Sequence, residues 1–450
     1  MLRRLLPVGA LTLSCLVGCP SAPAPEKKEP AQSESAKNAA PAASAAAVPK
    51  PTPDDPAVVQ SLKDVGGEIK LNGNQQVVSV DLIPFSMEDP ARATQLLTEV
   101  AKLPAVEVLR IGGPGINNET FKLVAGLGKI RVLELRNTKV NDDGVEIIAG
   151  FGNLTNLLAR RTDITDAALA KLAVLKNLRQ LDLRFTNMKD PGMPGLAEKF
   201  PKLESLKLEG SKVTSKSVEA IAQCTGLKEL NLWGGSFDDA SLAQLKTLTN
   251  LTSLELDDTR LKDNGLLALA PLTKLTFLSL VRTQVGDKGF VVVKDMPGLK
   301  RLLLRDTLVR DDGLANIADL TGLTELDLSE GIFGDAGMKH LEKLTNLETL
   351  KLWRLNLTDE GLKSLVGLKK LTELNLQNTQ ITDDGLKLLT GLTELESLNL
   401  AETQLSDAAL KTVAGFKKLK KLSLNNGVNF TSAGVDELKQ ALPELDVSGP

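Results

Sequence analysis

An α/β solenoid, with a parallel β-sheet along its concave side and helices along its convex side, is what this 450-residue sequence predicts. Three observations carry the prediction. A motif returns at a fixed interval through most of the chain, the apolar pattern changes period inside every copy, and the two ends of the array depart from the motif, as the exposed ends of a stacked core must.

The motif is plainest where residues 371–391, LTELNLQNTQITDDGLKLLTG, are followed by residues 395–415, LESLNLAETQLSDAALKTVAG. The shared template is LxxLxLxxTxITDxGLxxLxxL. Its second leucine, the anchor, falls at Leu109, Leu133, Leu157, Leu181, Leu206, Leu230, Leu254, Leu278, Leu302, Leu326, Leu350, Leu374, Leu398 and Leu422, every step being 24 residues except one of 25. Constant spacing over so many copies marks a repeat architecture. Within a copy, LxL alternates as a strand does, and GLxxLxxL has the three-and-four spacing of a helix. Each unit therefore reads as strand, turn and helix. Stacked units form one extended domain over residues 106–450, with a shortened last unit, LPELDV, as its C-terminal cap.

The chain opens MLRRLLPVGALTLSCLVGCPS, with Arg3 and Arg4 ahead of an apolar run of 14 residues, Leu5 to Gly18. That run falls short of the roughly 20 residues that span a bilayer and has the layout of a secretory signal, residues 1–18. LVGC, Leu16 to Cys19, resembles the lipobox of bacterial lipoproteins. The resemblance implies lipidation of Cys19, cleavage just before it, and a membrane anchor facing the periplasm or the cell surface. Several acyl chains, each gaining about 0.8 kcal/mol per buried CH₂, would hold such an anchor stably. The following stretch, residues 19–56, reads as a tether, since its residues 20–56 contain 9 prolines and 11 alanines but no leucine, isoleucine or aromatic residue to build a core. Residues 57–105 read as an N-terminal cap, a helix followed by a hairpin whose second strand, around Val80, starts the sheet.

Two polar columns run through the array. Nine places after the anchor stand Asp142, Asp166, Asp190, Asp239, Asp263, Asp287, Asp311, Asp335, Asp359, Asp383 and Asp407. Asn118, Ser215 and Thr431 fill the same slot, and all of these types cap helix N-termini whereas they are unequal calcium ligands, so capping is expected. Five places after the anchor, Thr138, Thr162, Thr186, Thr259, Thr283, Thr307, Thr379 and Thr403 suggest a buried hydroxyl ladder between units. In the 25-residue unit, Pro191 and Pro194 should break the helix and kink the stack.

Catalytic inventory is thin. The single histidine, His340, lies on a helical segment, and Cys224 shares a core column with Leu248 and Leu272. No phosphate loop, zinc spacing or dinucleotide fingerprint appears, so no cofactor or metal is expected. Basic and acidic residues nearly balance, 54 against 57, which argues against a nucleic-acid partner. With Cys15 cleaved and Cys19 lipidated, Cys224 would have no intramolecular partner. The units look like the 24-residue, strand-and-helix class of bacterial leucine-rich repeats sometimes called GALA-like, akin to ribonuclease-inhibitor-like repeats. That resemblance implies a monomeric, non-enzymatic module that binds a protein on its concave face. A lectin-like binder of polysaccharide and a structural envelope spacer are the alternatives. The first and third residues after each anchor point onto that face. Candidate binding residues are Arg136, Arg160, Arg184, Trp233, Asp257, Arg305, Trp353 and Arg354; Glu134 and Asp182 are expected to pair with the three successive arginines, an acidic partner engaging that spine being the alternative. Trp233 and Trp353 share one position five units apart and should be partly exposed, the first with an acidic edge (Glu209, Asp257, Asp258), the second with a basic one (Lys351, Arg354, Arg305).

The anchor is tested by replacing Cys19 with alanine and fractionating cells: the variant is expected to lose processing and membrane sedimentation, and retention of both would refute lipidation.

Overall fold

The computed structural model describes residues 52–85, 87–427 and 429–449. The signal, Cys19 and most of the tether lie outside the described residues. Helix α1 (Pro56–Asp64) opens with Asp55, whose carboxylate accepts the Ala57 N–H at 2.8 Å, and with Pro56 in the first turn, where a missing N–H costs nothing. It buries Val58, Val59 and Leu62. Strands β1 (Glu68–Leu71) and β2 (Val77–Asp81) form an antiparallel hairpin, and Val80 of β2 pairs in parallel with Leu109 of β3 (Val108–Gly112). A second helix that the sequence reading did not include, α2 (Pro90–Val100), fills the 29-residue interval between Val80 and Leu109, starting at the same Asp-Pro signal, Asp89-Pro90.

From β3 onward each strand pairs in parallel with the next, anchor against anchor, from Leu109↔Leu133 to Leu398↔Leu422 and finally Leu422↔Val447. Most strands are three residues long. One face of each is buried: in a single unit, Leu371, Leu374, Leu376, Ile381, Leu386, Leu389 and Leu392 are at most 1% exposed. Each such leucine stabilises by about 2 kcal/mol relative to an exposed one. Curvature has a simple origin, since strands repeat every ~4.8 Å whereas an α-helix with its side chains is ~10 Å wide. The convex segments relieve this by being short and partly 3₁₀; the segment Asp311–Ile317 is 3₁₀ throughout. Among the described residues no helix is long and apolar enough to cross a membrane.

Position 4 after the anchor turns the chain off the sheet with a left-handed backbone in every unit, from Asn137 (φ 56°) to Asn426 (φ 58°), including Arg161, Phe185, Arg282, Glu330 and Arg354. Its N–H still extends the ladder, as Asn137 donates to the Arg160 carbonyl at 3.0 Å and Arg354 to the Gln377 carbonyl at 2.9 Å. The threonine hydroxyls one place later do not form a ladder between units. Each bonds back inside its own turn, Thr186 to the Leu183 carbonyl and Thr379 to the Leu376 carbonyl, both at 2.6 Å. The left-handed corner folds the hydroxyl over that carbonyl; the exceptions in this column are Thr138 Oγ1 and Ser211 Oγ, which are buried without a partner among the described residues. Exceptions to the column have a cause. Where position 5 is Gly235 or Gly331, the ring of Phe237 or Phe333 occupies the space a Cβ would need.

The aspartate column also acts differently from the expectation. These residues begin the helical segments, but their carboxylates reach across to the next unit. Asp335 accepts the N–H of Thr358 at 2.9 Å and its hydroxyl at 2.7 Å, Asp359 does the same with Thr382, and Asp287 accepts the Arg310 N–H at 2.8 Å. Asp142, Asp190, Asp239, Asp263, Asp311, Asp383 and Asp407 make the equivalent bond, and Asn118 accepts the Asn141 N–H. Asp166 makes no such bond among those described. True capping falls to the residue before, where Thr358, Ser406 and Thr431 accept N–H groups of their own helices. Thr431 is thus a cap, since one residue has been added in the last unit. A small residue is required beside each carboxylate, and a Cβ on Gly337 would come within 2.5 Å of Asp311 Oδ1. Burial pushes the Asp190 carboxyl up, but the hydroxyls of Ser217 and Thr214 outweigh it and hold the group below the usual range.

The prolines of the 25-residue unit break its helix as expected, leaving a 3₁₀ turn (Asp190–Gly192), a left-handed Gly195 (φ 72°) and a short helix (Leu196–Lys199). The strand ladder crosses this unit in unbroken register, Leu181↔Leu206, so the extra residue is absorbed on the convex side.

Asp287→Ala removes one charge-assisted bond to an adjacent unit and is expected to cost about 1–2 kcal/mol in urea unfolding. Gly313→Ala presses on the same carboxylate. In a double-mutant cycle the two losses should add to clearly less than their sum; full additivity would refute a shared staple.

Candidate binding face

The concave sheet presents side-chain columns at positions 1, 3 and 4 after each anchor, and beside them the column one place before the anchor, which holds Glu373, Ser397 and Lys421. Positions 1 and 3 follow from strand alternation. Arg354 and Asp258 at position 4 are named in the sequence analysis, but the position is not read there as a column of the face, although Gly113, Gly210, Gly234, Asn137, Asn378 and Asn426 in it are the types that tolerate a left-handed corner. It brings Arg161, Phe185, Asp258, Arg282, Glu330 and Arg354 to the rim of the face.

The three successive arginines separate on inspection of their partners. Arg184 is half-buried and tied down: Nη2 lies 2.6 Å from Asp182 Oδ2, Nε bonds both Asp182 oxygens, and Nη1 reaches Glu209 at 3.4 Å. Its guanidinium is held above its ordinary pKa by that bond to Asp182. Glu134 does not pair with these arginines; it lies 3.7 Å from Arg110 instead. Arg136 and Arg160 make no ion pair among the described residues.

Both tryptophans are half-buried, and each already has a charged neighbour, at the indole edge of Trp233 and over the ring face of Trp353. The Trp233 indole N–H donates to Asp258, which also receives the Arg282 guanidinium. The bond from Arg282 keeps the Asp258 carboxyl below the usual range. The Arg354 guanidinium sits 5.8 Å over the Trp353 ring while bonding Glu330 at 2.9 Å, and Arg305 approaches the same Glu330 at 3.9 Å. The acidic and basic edges expected around the two indoles are therefore largely neutralised within the sheet. Asp257 is half-buried and accepts the Val281 N–H at 3.0 Å.

Toward the C-terminus the face is rich in amides and hydroxyls. A cleft of about 270 Å³ there is lined by Asn375, Asn399, Ser397, Ser423 and Ser448, with Glu373, Lys421 and Asp446 along one side. The residues weighed for chemistry lie elsewhere. His340 is half-buried on a convex 3₁₀ turn (Lys339–Leu341). Cys224 is buried, its thiol pushed up to about 12 by that burial, which leaves an inert core residue.

With this geometry in hand, a model of a leucine-rich repeat region matches residues 87–305, and a second leucine-rich repeat model matches residues 367–389. The chain is a leucine-rich repeat protein. Among solved structures, an internalin of Listeria monocytogenes superposes with a TM-score of 0.56 at 23% identity, covering 75% of this chain and 96% of that one. A leucine-rich repeat protein of Leptospira interrogans superposes at 0.55 with 17% identity, covering 81% and 99%. At such identity both comparisons speak for the fold alone. No curated protein sequence matches.

The middle of the face in this leucine-rich repeat protein carries a titration signature. Burial holds Asp257 and Glu255 above the ordinary carboxylate range, and their proximity adds to the effect on Glu255. The folded state then binds these protons more readily than the unfolded chain, so their contribution is complete below the unfolded pKa and is lost as pH rises through the folded one. Asp257→Asn should therefore raise the melting temperature near neutral pH, with the gain vanishing below about pH 4. An equal shift at both pH values would show that charge burial is not the cause.

Proposed function

We propose that this protein is a non-enzymatic, lipid-anchored module that holds a protein partner on its concave face at the bacterial cell envelope. One observation carries the binding part. The sheet is open along its whole length, with side-chain columns aimed at solvent and two half-exposed tryptophans five strands, or about 24 Å, apart. Indole groups that combine a large apolar surface with a fixed polar edge are the residues that dominate protein contacts. Their lateral contacts support this reading, because Asp258 holds the Trp233 edge and Arg354, itself held by Glu330, lies over the Trp353 ring, so both rings are ordered before any partner arrives and less entropy is lost on binding. The anchor rests on the LVGC stretch and the proline-alanine segment after it.

The amide-rich cleft supports a second reading. Asn375, Asn399 and Ser423 offer paired donors and acceptors of the kind that sugar hydroxyls need, so a cell-wall or surface polysaccharide is the alternative occupant of the C-terminal third.

Immobilised full chain and its Trp233→Ala, Trp353→Ala double variant are compared as baits for envelope extract. The double variant is expected to lose one specific protein band that a convex substitution, Lys387→Ala, retains. Identical capture by all three would overturn the binding-face reading, and loss of a glycan fraction alone would favour the polysaccharide.

A further inference from the structure

The arginines at positions 1, 3 and 4 of the face are eight in number. Five are paired with carboxylates: Arg110 with Asp81 at 3.2 Å, Arg184 with Asp182, Arg282 with Asp258, Arg305 with Glu330, and Arg354 with Glu330. This face neutralises its arginines wherever a partner stands within reach. Arg136, Arg160 and Arg161 have no carboxylate within ion-pair distance among the described residues, although they sit together at one corner of the sheet, at position 3 of one unit and positions 3 and 4 of the next. Like charges on adjacent strands repel, so leaving them uncompensated weakens the folded state.

The surroundings are built rather than accidental. The Phe185 ring lies between the two neighbours, with the Arg160 guanidinium carbon 5.0 Å and the Arg161 carbon 5.1 Å from its centroid. Such stacking holds a guanidinium in place while leaving its N–H edge free to donate. Phe185 itself occupies a left-handed corner, φ 55°, a conformation that is unfavourable for an aromatic residue. Its ring rests against Gly210, where a Cβ would come within 2.6 Å of the ring carbon Cδ1. The Nε of Arg160 is buried without a hydrogen-bond partner. Beside this shelf lies a cleft of about 190 Å³ lined by Ile83, Gly112, Gly113, Arg136, Asn137 and Arg161, its floor kept open by two residues without side chains.

We propose that this corner docks an acidic peptide segment of the protein partner, its aspartate or glutamate carboxylates received by Arg136, Arg160 and Arg161 beside the Phe185 ring. The inference rests on the concave face being the binding face and adds the chemistry of what binds its N-terminal third. Charge complementarity selects the occupant. Three guanidinium groups over two neighbouring strands suit carboxylates spaced along an extended chain. The patch is too short to follow a nucleic-acid backbone, and the protein as a whole carries a slight negative charge, formally −3, which repels polyphosphates.

The probe is a fluorescein-labelled octapeptide of alternating aspartate, glutamate and serine, titrated with purified full chain and read by anisotropy. Its controls are the same peptide with asparagine and glutamine, and a sulfated polysaccharide. The acidic peptide should bind at low salt, weaken as salt rises, and lose roughly tenfold or more in affinity with Arg160→Gln plus Arg161→Asn, the asparagine being chosen to keep the left-handed corner. Phe185→Leu, which keeps the apolar contact with Gly210 but removes the aromatic face, should weaken it too, and Lys387→Gln on the convex side should not. No binding of the acidic peptide, or equal binding by the arginine double variant, overturns the proposal. Arginine-dependent binding of the sulfated polysaccharide alone also overturns it and assigns the corner to a glycan. If the peptide fails while capture by Trp233 and Trp353 persists, this site falls and the binding-face reading stands; if both fail, the face itself is discarded.

Discussion

Everything in this molecule depends on two ladders closing at the same step. The strand ladder sets neighbouring units about 4.8 Å apart on one side. On the other side, the aspartate carboxylates bond the first N–H of the next helical segment, as Asp359 does with Thr382. A unit that satisfied one ladder and missed the other would leave either strand amides or helix-terminal N–H groups unpaired, and each orphaned group costs more than a made bond gains. The near-invariant 24-residue interval is the visible result. Where 25 residues intervene, between Leu181 and Leu206, the surplus falls on the helical side, and the backbone ladders pass unchanged.

The same requirement sets what the binding face can be. Its side chains stand on strands of three residues, too short to hold a large surface by themselves. The left-handed corner at position 4 lengthens the ladder by one further bond and turns another side chain toward solvent. Non-glycine residues held this way, such as Arg161, Phe185 and Arg354, keep backbone strain at the rim of the face. Ion pairs and ring contacts then fix these side chains laterally, so a partner meets a surface that is already ordered along most of its length.

The architecture was open to reading because its signal is redundant: fourteen anchors repeat one statement, and the end hairpin around Val80 continues it. Helix α2 was not read because it lies in the one interval without the motif, where only Asp89-Pro90 marks its start. The roles of the polar columns were harder. Aspartate beside a helix start suits a cap of its own helix or a bond to the next unit, and the choice depends on where the neighbouring unit places its N–H. Threonine at position 5 bonds inward because of a backbone corner whose occupants, from Arg161 to Glu330, share no residue type. On the face, Arg184 and Arg160 occupy the same column, and only the positions of Asp182, Glu209 and Phe185 separate a neutralised arginine from a free one.

The exchange between position 5 and position 7 has a consequence for how such a chain changes over time. Threonine with an aliphatic residue, as in Thr379 and Ile381, glycine with phenylalanine, as in Gly235 and Phe237, and the leucine pair Leu355 and Leu357 are different fillings of one turn. A step that alters only one member overfills the turn or leaves it hollow. Units are therefore inherited more safely as whole cassettes, by duplication or recombination at the repeat boundary, than residue by residue, and diversity accumulates instead at the solvent-facing positions, where no such pairing binds one substitution to another.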